Sequence, residues 1–266
     1  MEIRGRGVGV ELALLVIVVA TPLAPAQQAK PAAPSAYEPS VFQEGKDVVW
    51  VPTPQALVDK MLDMAKVTKD DVLMDLGSGD GRLVITAARR GASALGVEYN
   101  PDLVELSRRN AQKEGVAGKA SFVNADLFET DLSKVTVITM FLLPEINLKL
   151  REKLLALKPG TRIVSNTFTM DDWKPDESVT LTPAQGCSGS YCTAHLWIVP
   201  ARVAGNYKHA MGTLILRQQF QMLLGFLNIE DKKLELVGEV RGEEIHFIAG
   251  GLEYSGRING KLLELH

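Results

Sequence analysis

An apolar stretch that runs directly into a glycine-rich loop is the feature that most constrains this chain. The apolar stretch is Val72–Leu76, the loop is Gly77-Ser-Gly-Asp-Gly81, and a helix is predicted to begin at Arg82. Glycine has no Cβ and tolerates positive φ, so the backbone amides of such a loop approach a ligand closely at the helix N-terminus. The pattern predicts a strand, loop and helix that bind a polar or anionic group at the carboxyl end of the strand.

The spacing of the glycines separates two classes of ligand. A dinucleotide fold requires Gly-x-Gly-x-x-Gly, whereas this loop has Gly-x-Gly-x-Gly, with Arg82 at the position of the third glycine. Asp75 and Asp80 flank the loop and would repel a pyrophosphate. A zwitterionic ligand with an ammonium, a sulfonium and one carboxylate suits acids and amides together, so a dehydrogenase is the less favoured interpretation.

Two further acids follow the next predicted strands. Glu98 ends the stretch 92–98 about 20 residues after the loop, where an acid accepts hydrogen bonds from ribose hydroxyls. Asp126 follows the predicted strand Ala120–Asn124. The alternative is that both acids only form turns at strand ends. Three acids at three successive strand ends favour a nucleoside-containing ligand.

The segment from Asp75 to Gly81, with the two later acids, resembles the class I S-adenosylmethionine-dependent methyltransferases. The resemblance implies an α/β, Rossmann-like methyltransferase fold with a mostly parallel seven-strand sheet, and S-adenosylmethionine as the cofactor. It implies that the residues binding the cofactor are Asp75, Gly77, Ser78, Gly79, Gly81, Glu98, Asp126 and Leu127.

A narrower resemblance rests on four segments between Trp50 and Trp173. They are Trp50-Val-Pro52, Asp75–Arg82, Gly96–Pro101, and Asp126-Leu-Phe followed by Asp131-Leu-Ser133. Together they are similar to the small lysine methyltransferases that modify the ATP synthase c subunit and the adenine nucleotide translocase. This resemblance implies a protein lysine as the methyl acceptor.

The residues that would receive the acceptor are less distinctive. Methyl transfer at a sulfonium requires alignment and exclusion of water, and an apolar pocket favours the neutral amine. Aromatic and apolar candidates for the pocket wall are Phe141, Leu142, Phe168 and Trp173, and Asn166 or Glu145 would orient the amine. The alternative is that Phe141 and Leu142 belong to the core and that Asn166 is a turn residue.

Composition argues against nucleic acid as a partner. The chain has 29 Lys and Arg against 32 Asp and Glu, and no basic run is present to follow a phosphate backbone. The Asn/Asp-Pro-Pro-aromatic motif of enzymes that methylate planar nitrogens is also absent after the fourth predicted strand. The four histidines and two cysteines lack the spacing of metal ligands, so no metal is expected.

The N-terminal residues resemble a targeting sequence. Residues 1–26 combine two arginines, the apolar run Leu12–Ala20 and Ala24-Pro25-Ala26, as expected of a signal peptide or membrane anchor, and 27–45 form an Ala/Pro-rich linker. We therefore expect an exported protein, periplasmic or membrane-anchored, with membrane contact only through this segment. Cys187 and Cys192 are expected either to form a disulfide in an oxidising compartment or to be two free thiols in a turn.

The pattern of the sequence changes beyond Ala204. We expect a methyltransferase domain over 46–202 and a small antiparallel β domain over 203–266, which either recognises substrate or stabilises the enzyme. Its predicted strands are Gly212–Phe220, Leu234–Val240, Glu244–Ala249 and Leu252–Ile258. Two alternative functions are methylation of a small envelope metabolite and a non-catalytic scaffold that binds S-adenosylmethionine.

Overall fold

The structure, a computed structural model, describes residues 1, 2, 5, 7, 37–45, 49–209, 212–259 and 262–265. Tyr37–His266 form one compact unit, and Met1–Ala36 form another. Most of the predicted leader and the first part of the predicted linker lie outside the described residues. Within the described ranges, no helix has the length and apolar character needed to cross a membrane.

Seven strands form a first, mostly parallel sheet. They are β1 Val72–Leu76, β2 Ser93–Glu98, β3 Ala120–Asn124, β4 Val137–Met140, β5 Arg162–Asn166, β6 Glu177–Thr180 and β7 Thr193–Ile198. The order is β3-β2-β1-β4-β5-β7-β6, and only β7 runs antiparallel to its neighbours. The expectation of a Rossmann-like, mostly parallel sheet is confirmed. Strand order reverses between β1 and β4, which places a ligand crevice at their carboxyl ends.

Helices cover both faces of this sheet. They are α1 Gln55–Met64, α2 Arg82–Arg89, α3 Pro101–Lys113 and α4 Pro144–Leu155. Each face therefore has its own hydrophobic core. One core contains residues of α1, α2 and α3, and the other core contains residues of α4. Because both faces are covered, every residue of β4 is buried. The side chain of Asn100 caps α3 by accepting from the Asp102 N–H, and Pro101 occupies its first turn.

A second sheet of seven antiparallel strands follows in chain order. Its strands are β8 Gly205–His209, β9 Gly212–Gln219, β10 Met222–Ile229, β11 Lys232–Arg241, β12 Glu244–Ala249, β13 Leu252–Asn259 and β14 Leu262–Leu265. Alternate residues of β12 are buried and exposed, so one face of the sheet forms an apolar core. The antiparallel sheet expected from the sequence is present.

The sequence prediction missed β8, β10 and β14. The run Met222-Leu-Leu-Gly-Phe-Leu is apolar without alternation, so period-two patterning does not identify β10. In the structure Leu223 and Leu227 point into the core, whereas Leu224 is exposed on the other face. Burial therefore alternates along β10 although hydrophobicity does not.

The second sheet packs against the first through the turn between β9 and β10. The ring of Phe220 stacks on Trp173 at 6.0 Å between centroids, and the guanidinium of Arg151 lies 5.4 Å from the Phe220 centroid. Gln221 Nε2 donates to the carbonyl of Lys174 at 2.7 Å. Trp173 is thus a core residue at this contact.

Candidate functional site

A cavity of about 480 Å³ opens at the carboxyl ends of β1, β2 and β4, where strand order reverses. Most of the residues predicted to bind the cofactor line it, namely Asp75, Gly77, Ser78, Gly79, Glu98, Asp126 and Leu127. The parallel sheet brings these residues together because the carboxyl ends of its strands meet at one edge.

The glycines of the loop allow two close approaches. Gly79 has φ +54°, and a Cβ there would lie 2.8 Å from Nε1 of Trp50. Gly81 has φ +81°, and a Cβ there would lie 2.7 Å from Cε1 of Phe122. Gly81 does not line the cavity, so its predicted cofactor contact is corrected to a packing role: it lets the start of α2 approach β3.

Side chains of α3 and α2 fix the loop. Ser107 Oγ donates to the carbonyl of Gly79 at 2.9 Å, and Asn110 Nδ2 donates to the carbonyl of Asp80 at 3.0 Å. Arg82 Nε and Nη2 donate to the Asp80 carboxylate at 3.0 and 2.6 Å. The loop conformation is therefore held by protein contacts alone, which lowers the entropy cost of binding a ligand.

Thr53 connects this loop to the end of β5. Its carbonyl accepts from Arg82 Nη1 at 2.8 Å, and its hydroxyl accepts from Asn166 Nδ2 at 3.2 Å. Arg82, which excluded a dinucleotide motif in the sequence, therefore anchors the segment before α1.

Acids hold defined positions at the ends of β2 and β3. The two carboxylate oxygens of Glu98 accept from the N–H groups of Gly79 and Asn100, each at 2.9 Å. Asp126 Oδ1 accepts from the N–H of Phe128 at 2.9 Å. Both carboxylates therefore border the cavity in orientations set by the backbone, where hydroxyl and amino groups of a nucleoside can reach them.

Asp75 is the most buried acid of the cavity. Its Oδ1 accepts from the Thr139 hydroxyl at 2.7 Å. Its pKa is raised to about 7, mainly by burial and in smaller part by the neighbouring charges of Glu98 and Asp80, against the lowering effect of the Thr139 hydrogen bond. Such a carboxyl group favours a cationic ligand, because a nearby positive charge stabilises its ionised form.

The cavity residues fit S-adenosylmethionine. The acids Asp75, Glu98 and Asp126 line the cavity together with the apolar residues Leu127 and Leu142, a set of groups that suits a cationic ligand with a nucleoside part. The Ser78 hydroxyl has no hydrogen-bond partner within the described part of the chain and packs against Gly96 beneath the loop. Among the described residues, no group of three His, Cys, Asp or Glu is arranged to hold a metal ion.

Three aromatic rings that contact one another also line the cavity. Phe141 lies 6.1 Å from Phe168 and 5.3 Å from Tyr191 between ring centroids, and all three residues line the cavity. Phe141 and Phe168 are at the predicted acceptor end. Tyr191 was missed, and the signal that points to it is an aromatic residue within a short loop closed by two cysteines.

Cys187 and Cys192 form a disulfide, which settles the alternative that the sequence left open. Both cysteines are buried in the hydrophobic core that contains residues of α1, α2 and α3. The loop between them carries Tyr191 to the cavity.

Three of the predicted acceptor residues do not line the cavity. Trp173 is fully buried against Trp197 and Phe220, so its predicted contact with the acceptor is wrong. Asn166 is fully buried and bonded to Thr53, so it does not orient an amine. Glu145 is exposed in the first turn of α4, outside the cavity lining.

Comparisons with known proteins agree with one another on the family of this chain. The ANTKMT methyltransferase domain matches residues 75–177. A protein-lysine N-methyltransferase of Saccharolobus islandicus is 47% identical over 135 residues, which are 50% of this chain and 84% of that protein. The human lysine N-methyltransferase named for the ATP synthase c subunit is 37% identical over 128 residues, and this chain spans only 54% of its length.

One solved structure combines high identity with a shared fold. It is described as an RNA methyltransferase from Salinibacter ruber in complex with S-adenosyl-L-homocysteine. It is 46% identical and superposes with a TM-score of 0.53, covering 60% of this chain and 100% of that chain. Its ligand is the demethylated form of S-adenosylmethionine.

Proposed function

We propose that this chain, which belongs to the ANTKMT methyltransferase family, transfers a methyl group from S-adenosylmethionine to the side-chain amine of a protein lysine. The chain is an S-adenosylmethionine-dependent methyltransferase, and the enzyme class and cofactor predicted from the sequence are confirmed. The observation that carries the lysine proposal is one cavity that is lined both by the glycine loop and by three aromatic rings. The names of two relatives support the same acceptor.

The roles of the residues follow from their positions. S-adenosylmethionine supplies an electrophilic methyl group on a sulfonium. The loop Gly77–Gly81 with Glu98 and Asp126 would hold the cofactor, and Asp75 would face its positive charge. Phe141 and Phe168 exclude water from the acceptor side, and the low polarity there favours loss of the lysine proton before attack.

A two-stage experiment tests this function. Isothermal titration measures binding of S-adenosylmethionine and S-adenosylhomocysteine, with Glu98→Ala expected to weaken both and Glu105→Ala, an exposed residue of α3, expected to leave both unchanged. Cell protein and extracted RNA are then incubated separately with tritiated cofactor, and the methylated products are identified by mass spectrometry. The proposal requires methyl-lysine in protein that Glu98→Ala fails to produce.

RNA is a second candidate acceptor, because the solved relative is described as an RNA methyltransferase. The chain carries a net charge of −3, and the lining includes the acids Asp75, Asp80, Glu98 and Asp126 with Arg82 already paired to Asp80. These charges disfavour a phosphate backbone. Label confined to RNA would replace the lysine proposal with this one.

Two other expectations from the sequence concern a small-metabolite acceptor and export of the protein. A small-metabolite acceptor would be favoured by a deep closed pocket near Trp50 and Trp173, but Trp173 lies in the core and does not line the cavity. Export to an oxidising compartment remains a proposal, supported by the disulfide and by the predicted leader. Thiol alkylation of protein taken directly from cell fractions tests it: unreactive cysteines in an envelope fraction are expected, and a reduced cytoplasmic protein would contradict export.

A further inference from the structure

We infer that the aromatic cluster, defined as Phe141, Phe168 and Tyr191, stabilises the positive charge that develops on the neutral lysine nitrogen as it takes the methyl group, and that Tyr191 determines the preference of this subsite for a methylated ammonium over a neutral group of the same shape. This inference rests on the proposed function and names the chemistry of the group that the aromatic cluster binds. It also assigns a role to the disulfide loop.

The first argument is convergence of three separate elements on one space. Phe141 follows β4, Phe168 follows β5 and Tyr191 precedes β7. Phe141 and Tyr191 meet edge to face at 5.3 Å, and Phe168 lies 6.3 Å from Tyr191. A cation within about 6 Å of such ring centroids is attracted by the negative charge of their faces.

The second argument is exposure to the cavity. Each ring of the cluster is only partly buried, whereas Trp173 and Trp197, which belong to the core, are fully buried. A cluster that served only packing would be expected to close over its rings. The ring surfaces of the cluster are accessible from the same cavity that the glycine loop lines.

The third argument is the way in which Phe168 is fixed. Thr167 has φ +63°, a conformation that costs free energy for a β-branched residue. Its N–H donates to the carbonyl of Thr193 at 2.7 Å. The Phe168 carbonyl accepts from Ser165 Oγ at 2.7 Å and from Asn147 Nδ2 at 3.2 Å. The bonds hold a strained backbone that presents the ring to the cavity.

The fourth argument concerns Tyr191 and charge. The disulfide between Cys187 and Cys192 ties both ends of the Tyr191 loop to the core, so the ring is placed covalently instead of by a helix or strand. Among the described residues that line the cavity, Arg82 is the single Lys or Arg, and it is paired with Asp80. A cation entering the cavity therefore meets no unpaired Lys or Arg side chain among these described lining residues.

Peptide binding tests the inference on the full chain saturated with S-adenosylhomocysteine. One peptide is acetyl-Gly-trimethyl-lysine-Gly-amide, and the other is its neutral isostere with carbon in place of the ammonium nitrogen. We expect the cationic peptide to bind about 3- to 30-fold more tightly. Tyr191→Leu should remove this preference, Tyr191→Phe should keep it, and the control Tyr254→Leu in the second sheet should leave it unchanged.

The outcomes separate the inference from the function that it builds on. Loss of S-adenosylhomocysteine binding by the unmodified chain would contradict the proposed function. Normal cofactor binding with equal affinity for the two peptides, with no binding of either, or with a preference that survives Tyr191→Leu would overturn the inference. If Tyr191→Leu no longer binds S-adenosylhomocysteine, Phe168→Leu provides the same test.

Discussion

Asp75 shows how one residue couples a buried position to a charged ligand. It is 6% exposed, and burial is the main reason that its pKa is raised to about 7. Near neutral pH a substantial fraction of the free protein therefore carries a proton on this carboxyl group. A ligand cation favours the ionised form, so binding must release that proton at lower pH.

We therefore predict that the affinity for S-adenosylmethionine rises with pH from about pH 5.5 to about pH 7 and then levels off. The slope is at most about tenfold per pH unit, because one proton is released. Asp75→Asn should make the affinity nearly independent of pH over this range. Isothermal titration at several pH values measures the effect.

The matched control for this prediction is Asp102→Asn, an exposed acid in the first turn of α3. It should retain the pH dependence of the unmodified chain. A pH dependence that persists unchanged in Asp75→Asn would assign the proton to another group.

The sequence predicts residues at strand ends better than residues in the loops beyond them. Asp75, Glu98 and Asp126 were found because the carboxyl ends of parallel strands share one edge. Asn166 and Trp173 were misassigned because their directions depend on long-range contacts, with Thr53 in one case and with Phe220 in the other. The periodicity of hydrophobic residues along the sequence does not predict such long-range contacts.

At the scale of elements, the disulfide loop is the feature that most depends on covalent chemistry. We predict that Cys187→Ser combined with Cys192→Ser lowers the free energy of unfolding by about 2 kcal/mol, because a short closed loop restricts the unfolded chain. The same change should weaken binding of the trimethyl-lysine peptide while the affinity for S-adenosylhomocysteine stays the same. Denaturant unfolding and titration measure the two effects.

Ser188→Ala, an exposed change inside the same loop, is the control and should alter neither quantity. Unchanged peptide affinity in the double serine variant would show that the disulfide does not position Tyr191. The sequence left this pairing open because two cysteines in a turn are compatible with both states.

At the scale of the whole molecule, Phe220 connects the two sheets. We predict that Phe220→Ala lowers the free energy of unfolding by about 2 kcal/mol, because the ring loses its contacts with Trp173 and Arg151 while it is only partly buried. S-adenosylhomocysteine affinity should not change, since Phe220 does not line the cavity. Chemical denaturation monitored by tryptophan fluorescence measures the loss.

Phe226→Ala is the matched control, because that ring lies on the same sheet beside Lys233 and away from the sheet contact. An equal loss in both variants would contradict the role of Phe220.

The division into 46–202 and 203–266 stays a prediction, since Tyr37–His266 form one compact unit. The periodicity of the sequence revealed the second sheet but not the ring that joins it to the first.

The two hydrogen bonds of Thr53 have a thermodynamic consequence. Through them, Arg82 at the cofactor loop and Asn166 beside the Phe168 loop share one residue. If cofactor binding changes the free energy of acceptor binding through this residue, acceptor binding must change the free energy of cofactor binding by the same amount. The order in which the two substrates arrive can thus change the rate at which the ternary complex forms, but not the strength with which each substrate favours the other.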